Sequence, residues 1–137
     1  MTIEVKQVNE LFHFEATNET GNSVHIDASP SIGGQGLGAR PMELLIMGLG
    51  GCSGIDVINI LKKQKITVKG LKIKIDAERE PEATPSLFQK IHVDFIFSGE
   101  IDKAKAERAV SLSMDKYCSV AKTLEKTATI TFTSIFQ

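Results

Sequence analysis

The chain is poor in the residues that most often announce a chemistry. It holds two cysteines, three histidines and three arginines in 137 residues. Two cysteines do not make the disulfide framework of a small secreted domain. They are also too few for a structural zinc site unless histidine joins them. His13, His25 and His92 are scattered, with no HExxH or CxxC spacing, so no metal is expected. The net charge is −1, and lysines and acidic residues are interspersed rather than blocked. No electrostatic footprint for nucleic acid results. The opening MTIEVKQV alternates apolar and polar residues and lacks the basic and apolar regions of a targeting signal, which predicts a cytoplasmic protein. The most apolar stretch, 44–61, is interrupted by Cys52, Asp56, Asn59 and four glycines. A membrane span usually carries about 20 mostly apolar residues without such groups, so this stretch reads as a buried core helix.

What is present is the composition of one globular domain over residues 1–137, with 42% apolar and 24% charged residues. Residues 3–8, 11–14 and 24–26 read as three short strands. Residues 28–40 form a loop rich in glycine (33, 34, 36 and 38), long enough to suggest function. Pro41 then opens a helix running to about Lys63, with Glu43 in its first turn. Leu71, Ile73, Ile75 and Ala77 alternate with polar residues, as do Ile91, Val93, Phe95 and Phe97. An amphipathic helix covers Asp102 to Tyr117, a short second helix or turn follows from Cys118 to Glu125, and Ala128, Ile130 and Phe132 mark a closing strand. The order β-β-β-α-β-β-α-β has no strict βαβ alternation. It predicts an α+β fold, a largely antiparallel sheet with helices on one face.

Cys52 lies among Gly48, Gly50, Gly51 and Gly54 in the central helix. Each glycine costs about 1 kcal/mol of helix propensity relative to alanine, and is best tolerated where backbones approach closely or a side chain needs room. A cysteine there is either an inert small hydrophobe or a reactive thiol, and reactivity requires a cation to offset burial. Arg40 lies twelve residues before Cys52, about 18 Å along a straight helix. It therefore reaches a thiol only in a second, antiparallel subunit; otherwise it is a solvated loop residue. Glu43 falls on the face opposite Cys52 and reads equally as a helix N-terminal charge. Asp56, at i+4, shares the Cys52 face and reads first as a structural group. Cys118 follows Tyr117 at a helix end; the sequence leaves open whether it is a core thiol or a partner of Cys52. Gly34–Ala39 matches a loose dinucleotide pattern but no βαβ unit surrounds it.

Two segments carry a resemblance. Arg40-Pro41-Met42-Glu43-Leu44-Leu45 followed by Gly48-Leu49-Gly50-Gly51-Cys52-Ser53-Gly54-Ile55-Asp56-Val57 resembles the central-helix signature of the OsmC/Ohr family. Lys116-Tyr117-Cys118-Ser119-Val120-Ala121 resembles its second cysteine motif, and the separation of 66 positions is similar. The resemblance implies an intertwined α+β homodimer with long central helices packed together and active sites at the interface. It implies that Cys52 attacks a hydroperoxide and that Cys118 resolves the sulfenic acid as a disulfide. No cofactor is implied beyond an external thiol or lipoyl reductant. Two departures stand out. The family's peroxidases carry an arginine in the N-terminal strands, whereas this chain has none before Arg40. Their glutamate directly follows the proline, where this chain has Met42 and then Glu43. Arg40 and Glu43 are the candidates to substitute across the dimer. Rival readings are a small-molecule-binding module and a redox sensor on the same fold.

Overall fold

The computed structural model describes residues Met1–Gln137. Its contacts gather into two compact units, Met1–Leu45 and Ile46–Gln137.

In the first unit, β1 (Ile3–Gln7), β2 (Phe14–Asn18) and β3 (Ser23–Ile26) form an antiparallel sheet in chain order. The second strand lies later than the expected 11–14. The Asn9 side chain accepts the backbone N–H groups of Leu11 (2.9 Å) and His13 (3.2 Å), which holds residues 9–13 in a turn. His13 therefore precedes its strand rather than lying in it, with its ring nitrogen 2.9 Å from that of His25 on β3. The glycine loop follows, with one short 3-10 turn at Pro30–Ile32. Buried Asp27 organises it: one carboxylate oxygen accepts the N–H groups of Gln35 and Leu37, both at 3.1 Å, and the other that of Ala28 at 2.8 Å. Gly34 and Gly38 are required by close backbone approach. A Cβ at Gly34 would sit 1.8 Å from the Ala28 carbonyl oxygen, and one at Gly38 2.4 Å from the His25 carbonyl.

The helix α1 (Pro41–Lys63) has the expected limits. At its start the Glu43 side chain reaches back to accept the backbone N–H of Arg40 at 2.9 Å. The expectation of a buried helix holds for one stripe only. Leu49, Ser53, Val57 and Leu61, spaced by four, are fully buried. Leu45, one turn before Leu49, is exposed, as are Met47, Ile55 and Ile58 on the opposite side, Ile55 at 71%. The helix is apolar all round, and a single chain supplies cover for one side of it.

In the second unit, β4 (Gly70–Arg79) and β5 (Phe88–Ser98) pair antiparallel. The chain then passes through α2 (Lys103–Leu112) and α3 (Ser119–Leu124) to β6 (Thr129–Phe136). The β6 strand lies parallel to β5, because two helices separate them and return the chain to the end from which β5 started. The expectation of one largely antiparallel sheet thus becomes two three-stranded sheets, the second mixed. Ile91, Val93, Phe95 and Phe97 on β5 are buried with Ala106, Ala109, Val110 and Met114, as the alternation and helical spacing imply. Helix α1 lies against β4 through its glycines: a Cβ at Gly54 would meet the Ile73 side chain at 3.0 Å, and one at Gly50 would meet Ile75 at 3.4 Å.

The expected helix Asp102–Tyr117 is divided. Asp102 caps α2 by accepting the Lys105 N–H at 3.1 Å. Beyond Leu112 the chain widens into a π turn at Ser113–Tyr117, which closes with the Cys118 N–H donating to the Ser113 carbonyl at 2.7 Å. Such bulges often mark functional positions.

Candidate functional site

The π turn delivers Cys118 to the start of α3, where its sulfur accepts the Ala121 N–H at 3.4 Å. Cys118 is fully buried. Cys52, at the middle of α1, is half-buried. The two are 66 positions apart in sequence, yet their sulfurs and a carboxylate oxygen of Asp56 all lie within 4.8 Å of one another. Both cysteines are free thiols.

Burial pushes the Cys118 thiol up to about 11, and the adjacent Cys52 sulfur adds to the rise; the Ala121 N–H opposes it. A thiol in that state keeps its proton at neutral pH. Asp56 accepts the Ser113 hydroxyl at 3.0 Å, and Ser113 is itself fully buried beside the Ser53 carbonyl. Asp56 makes no ion pair in the chain. A cavity of about 440 Å³ opens next to it, lined by Asp56, Asn59, Ile60, Leu112 and Tyr117 among others. A larger cavity, near 900 Å³, borders Gly99–Lys103 and Phe136 and holds neither thiol.

The structure thus brings together Cys52 and Cys118, and adds Asp56, which residue patterns alone left as a structural group. Arg40 and Glu43 are outside this cluster. They stand twelve and nine positions up the chain from Cys52, at the helix start, where Glu43 is engaged with backbone. Sequence reasoning missed Ser113, whose signal is faint: a serine one turn before a cysteine, at a helix end with no helix breaker. It also missed Asp27, which follows a strand and precedes the glycines it organises.

The chain matches the family model described as OsmC-like protein over residues 34–133. It is 48% identical over 92 residues to Protein YhfA of Escherichia coli K12, covering 66% of this chain and 68% of that one. A crystal structure of a hypothetical protein from Aquifex aeolicus superimposes with a TM-score of 0.80 at 30% identity, over 99% of this chain and 96% of that one. An organic hydroperoxide resistance protein OsmC from Legionella pneumophila superimposes with a TM-score of 0.72 at 14% identity, over 98% and 97% of the two chains, a likeness of fold. The thiol pair and its α+β frame therefore sit in a chain that belongs to the OsmC-like protein family.

Proposed function

We propose that the protein is a thiol-dependent peroxidase acting on organic hydroperoxides. The observation that carries this reading is the placement of a half-buried Cys52 sulfur within 4.8 Å of a fully buried Cys118 sulfur. The hydroperoxide-resistance function named for the Legionella relative supports the substrate class. Cys52, as thiolate, attacks the distal peroxide oxygen. The S–O bond forms, the O–O bond breaks, and the alkoxide leaves as alcohol on taking a proton. The Cys118 thiol then attacks the Cys52 sulfenic acid, water leaves, and a disulfide closes. An external dithiol or lipoyl group returns both cysteines to thiols and is itself oxidised.

The assignment of roles follows burial. Cys118 keeps its proton and is screened from solvent, which disfavours first attack, while its place beside the Cys52 sulfur suits capture of a sulfenic acid formed there. The protein acts as a cytoplasmic homodimer in this reading, with the exposed Met47, Ile55 and Ile58 face of α1 covered by the antiparallel helix of a second copy. That arrangement carries Arg40 and Glu43 of the second copy toward Cys52, where the guanidinium stabilises the thiolate.

The test is consumption of cumene hydroperoxide by reduced protein with a dithiol. Wild type turns over and Cys52→Ser does not; without the dithiol, Cys118→Ser consumes one equivalent of peroxide and stalls as a sulfenic acid. Unchanged consumption by Cys52→Ser would sink the proposal. A second reading, an apolar small-molecule-binding module, draws on the 440 Å³ cavity, a size common for ligand sites. It requires saturable binding without Cys52-dependent turnover.

A further inference from the structure

Asp56 is in an unusual place for a carboxylate. It is half-buried beside two sulfurs, without a cationic partner, and its one hydrogen bond in the chain is from the Ser113 hydroxyl to a single oxygen. The other oxygen makes no hydrogen bond. A thiolate at either cysteine would stand beside this carboxylate, placing two negative charges in the cluster with no cation in the chain to offset them. The three groups come from helical positions: Cys52 and Asp56 one turn apart on α1, and Cys118 at the cap of α3.

We propose that Cys52, Asp56 and Cys118 form a binding site for a zinc-class divalent cation. Two sulfurs and one carboxylate oxygen suit a borderline-soft ion, and three protein ligands leave a fourth position for water. In a tetrahedral site with Zn–S near 2.3 Å, ligand atoms stand about 3.8 Å apart. The present separations, within 4.8 Å, reach this with a contraction of about 1 Å or less, the scale of a side-chain adjustment. The Ser113 hydroxyl bonded to Asp56 is the outer contact that fixes a carboxylate ligand. Binding displaces the two thiol protons to solvent and changes no oxidation state.

The consequence for turnover rests on the peroxidase reading. With both sulfurs on the ion, neither can attack peroxide or resolve a sulfenic acid, so the loaded protein is inactive until a chelator or a competing thiol removes the metal. The binding itself does not depend on that reading.

The test is a titration of fully reduced, full-length protein with Zn²⁺ against a chromophoric chelator, with no peroxide present. One ion per chain is expected. Binding should be lost in Cys52→Ser and Cys118→Ser and after oxidation to the disulfide, and weakened about tenfold or more in Asp56→Asn. Because Asp56→Asn also removes a structural contact, the wild type is loaded in parallel with cadmium, whose NMR shift distinguishes a site with two sulfurs and oxygen from two sulfurs alone. No binding, or binding that survives loss of either cysteine, overturns the proposal. A two-sulfur cadmium shift without a carboxylate oxygen overturns the role of Asp56. Peroxide turnover with no zinc binding leaves the peroxidase standing and removes the metal site alone.

Discussion

The Ser113 hydroxyl donates to the Asp56 carboxylate at 3.0 Å, joining the π turn before Cys118 to the helix that carries Cys52. This bond ties together the two segments that carry the thiols. Removing a buried donor to a charged group costs about 1–3 kcal/mol. Ser113→Ala is therefore expected to lower the denaturation midpoint by a corresponding amount, measured with urea, and to slow disulfide closure more than peroxide attack. Equal slowing of both steps would place Ser113 in general packing instead.

Cys118, raised to about 11 by burial, sets a pH signature. At pH 8 about a thousandth of it is thiolate, against about a tenth for a thiol at its ordinary value of 9.0. Iodoacetamide labelling followed by peptide mapping should show Cys118 modified slowly at pH 8 and progressively faster up to pH 11. The folded state holds this proton more tightly than the unfolded chain. The associated stability is complete below pH 9 and is lost as pH rises toward 11. Thermal midpoints across that window should fall in wild type and fall less in Cys118→Ala.

Asp27 works with the opposite sign. The Leu37 N–H, with those of Ala28 and Gln35, holds its carboxyl below the usual carboxylate range. Its contribution is present above pH 3.8 and disappears as pH falls through the lowered folded value. Asp27→Asn keeps one acceptor oxygen and turns an amide toward backbone donors. Its acid-unfolding limb should be flatter than wild type, and amide exchange should accelerate at Gln35 and Leu37.

Much of this was legible in the residues, and the exceptions have physical causes. The limits of α1 follow from Pro41, Glu43 and the closing Lys62 and Lys63. The β5 core follows from strict alternation through Phe95 and Phe97. The shift of β2 was hidden because Asn9 competes for the backbone of Leu11 and His13, overriding their apolar character. The parallel course of β6 was hidden because strand patterns do not encode direction. The π turn left no trace, since Ser113–Tyr117 continues a helical apolar spacing through Met114. Proximity of Cys52, Asp56 and Cys118 is a tertiary fact; only the i+4 step between Cys52 and Asp56 is local.

The exposed face of α1 carries the dimer expectation. Ile55 is 71% exposed, so Ile55→Lys should cost the single chain about 0.5 kcal/mol or less. Placed between two helices, the same lysine buries an unpaired charge. Sedimentation should show a wild-type dimer and an Ile55→Lys monomer with unchanged circular dichroism. A wild-type monomer, or a dimer indifferent to this change, contradicts that packing.

The most direct measurement mixes reduced protein with excess cumene hydroperoxide and, separately, hydrogen peroxide, and reads stopped reactions by intact mass and peptide mapping. Rapid loss of two hydrogens with a Cys52–Cys118 linkage, faster with the organic peroxide, is the expected result. Two thiols that stay unmodified through long exposure would contradict the peroxidase and leave the cavity beside Asp56 as a ligand site.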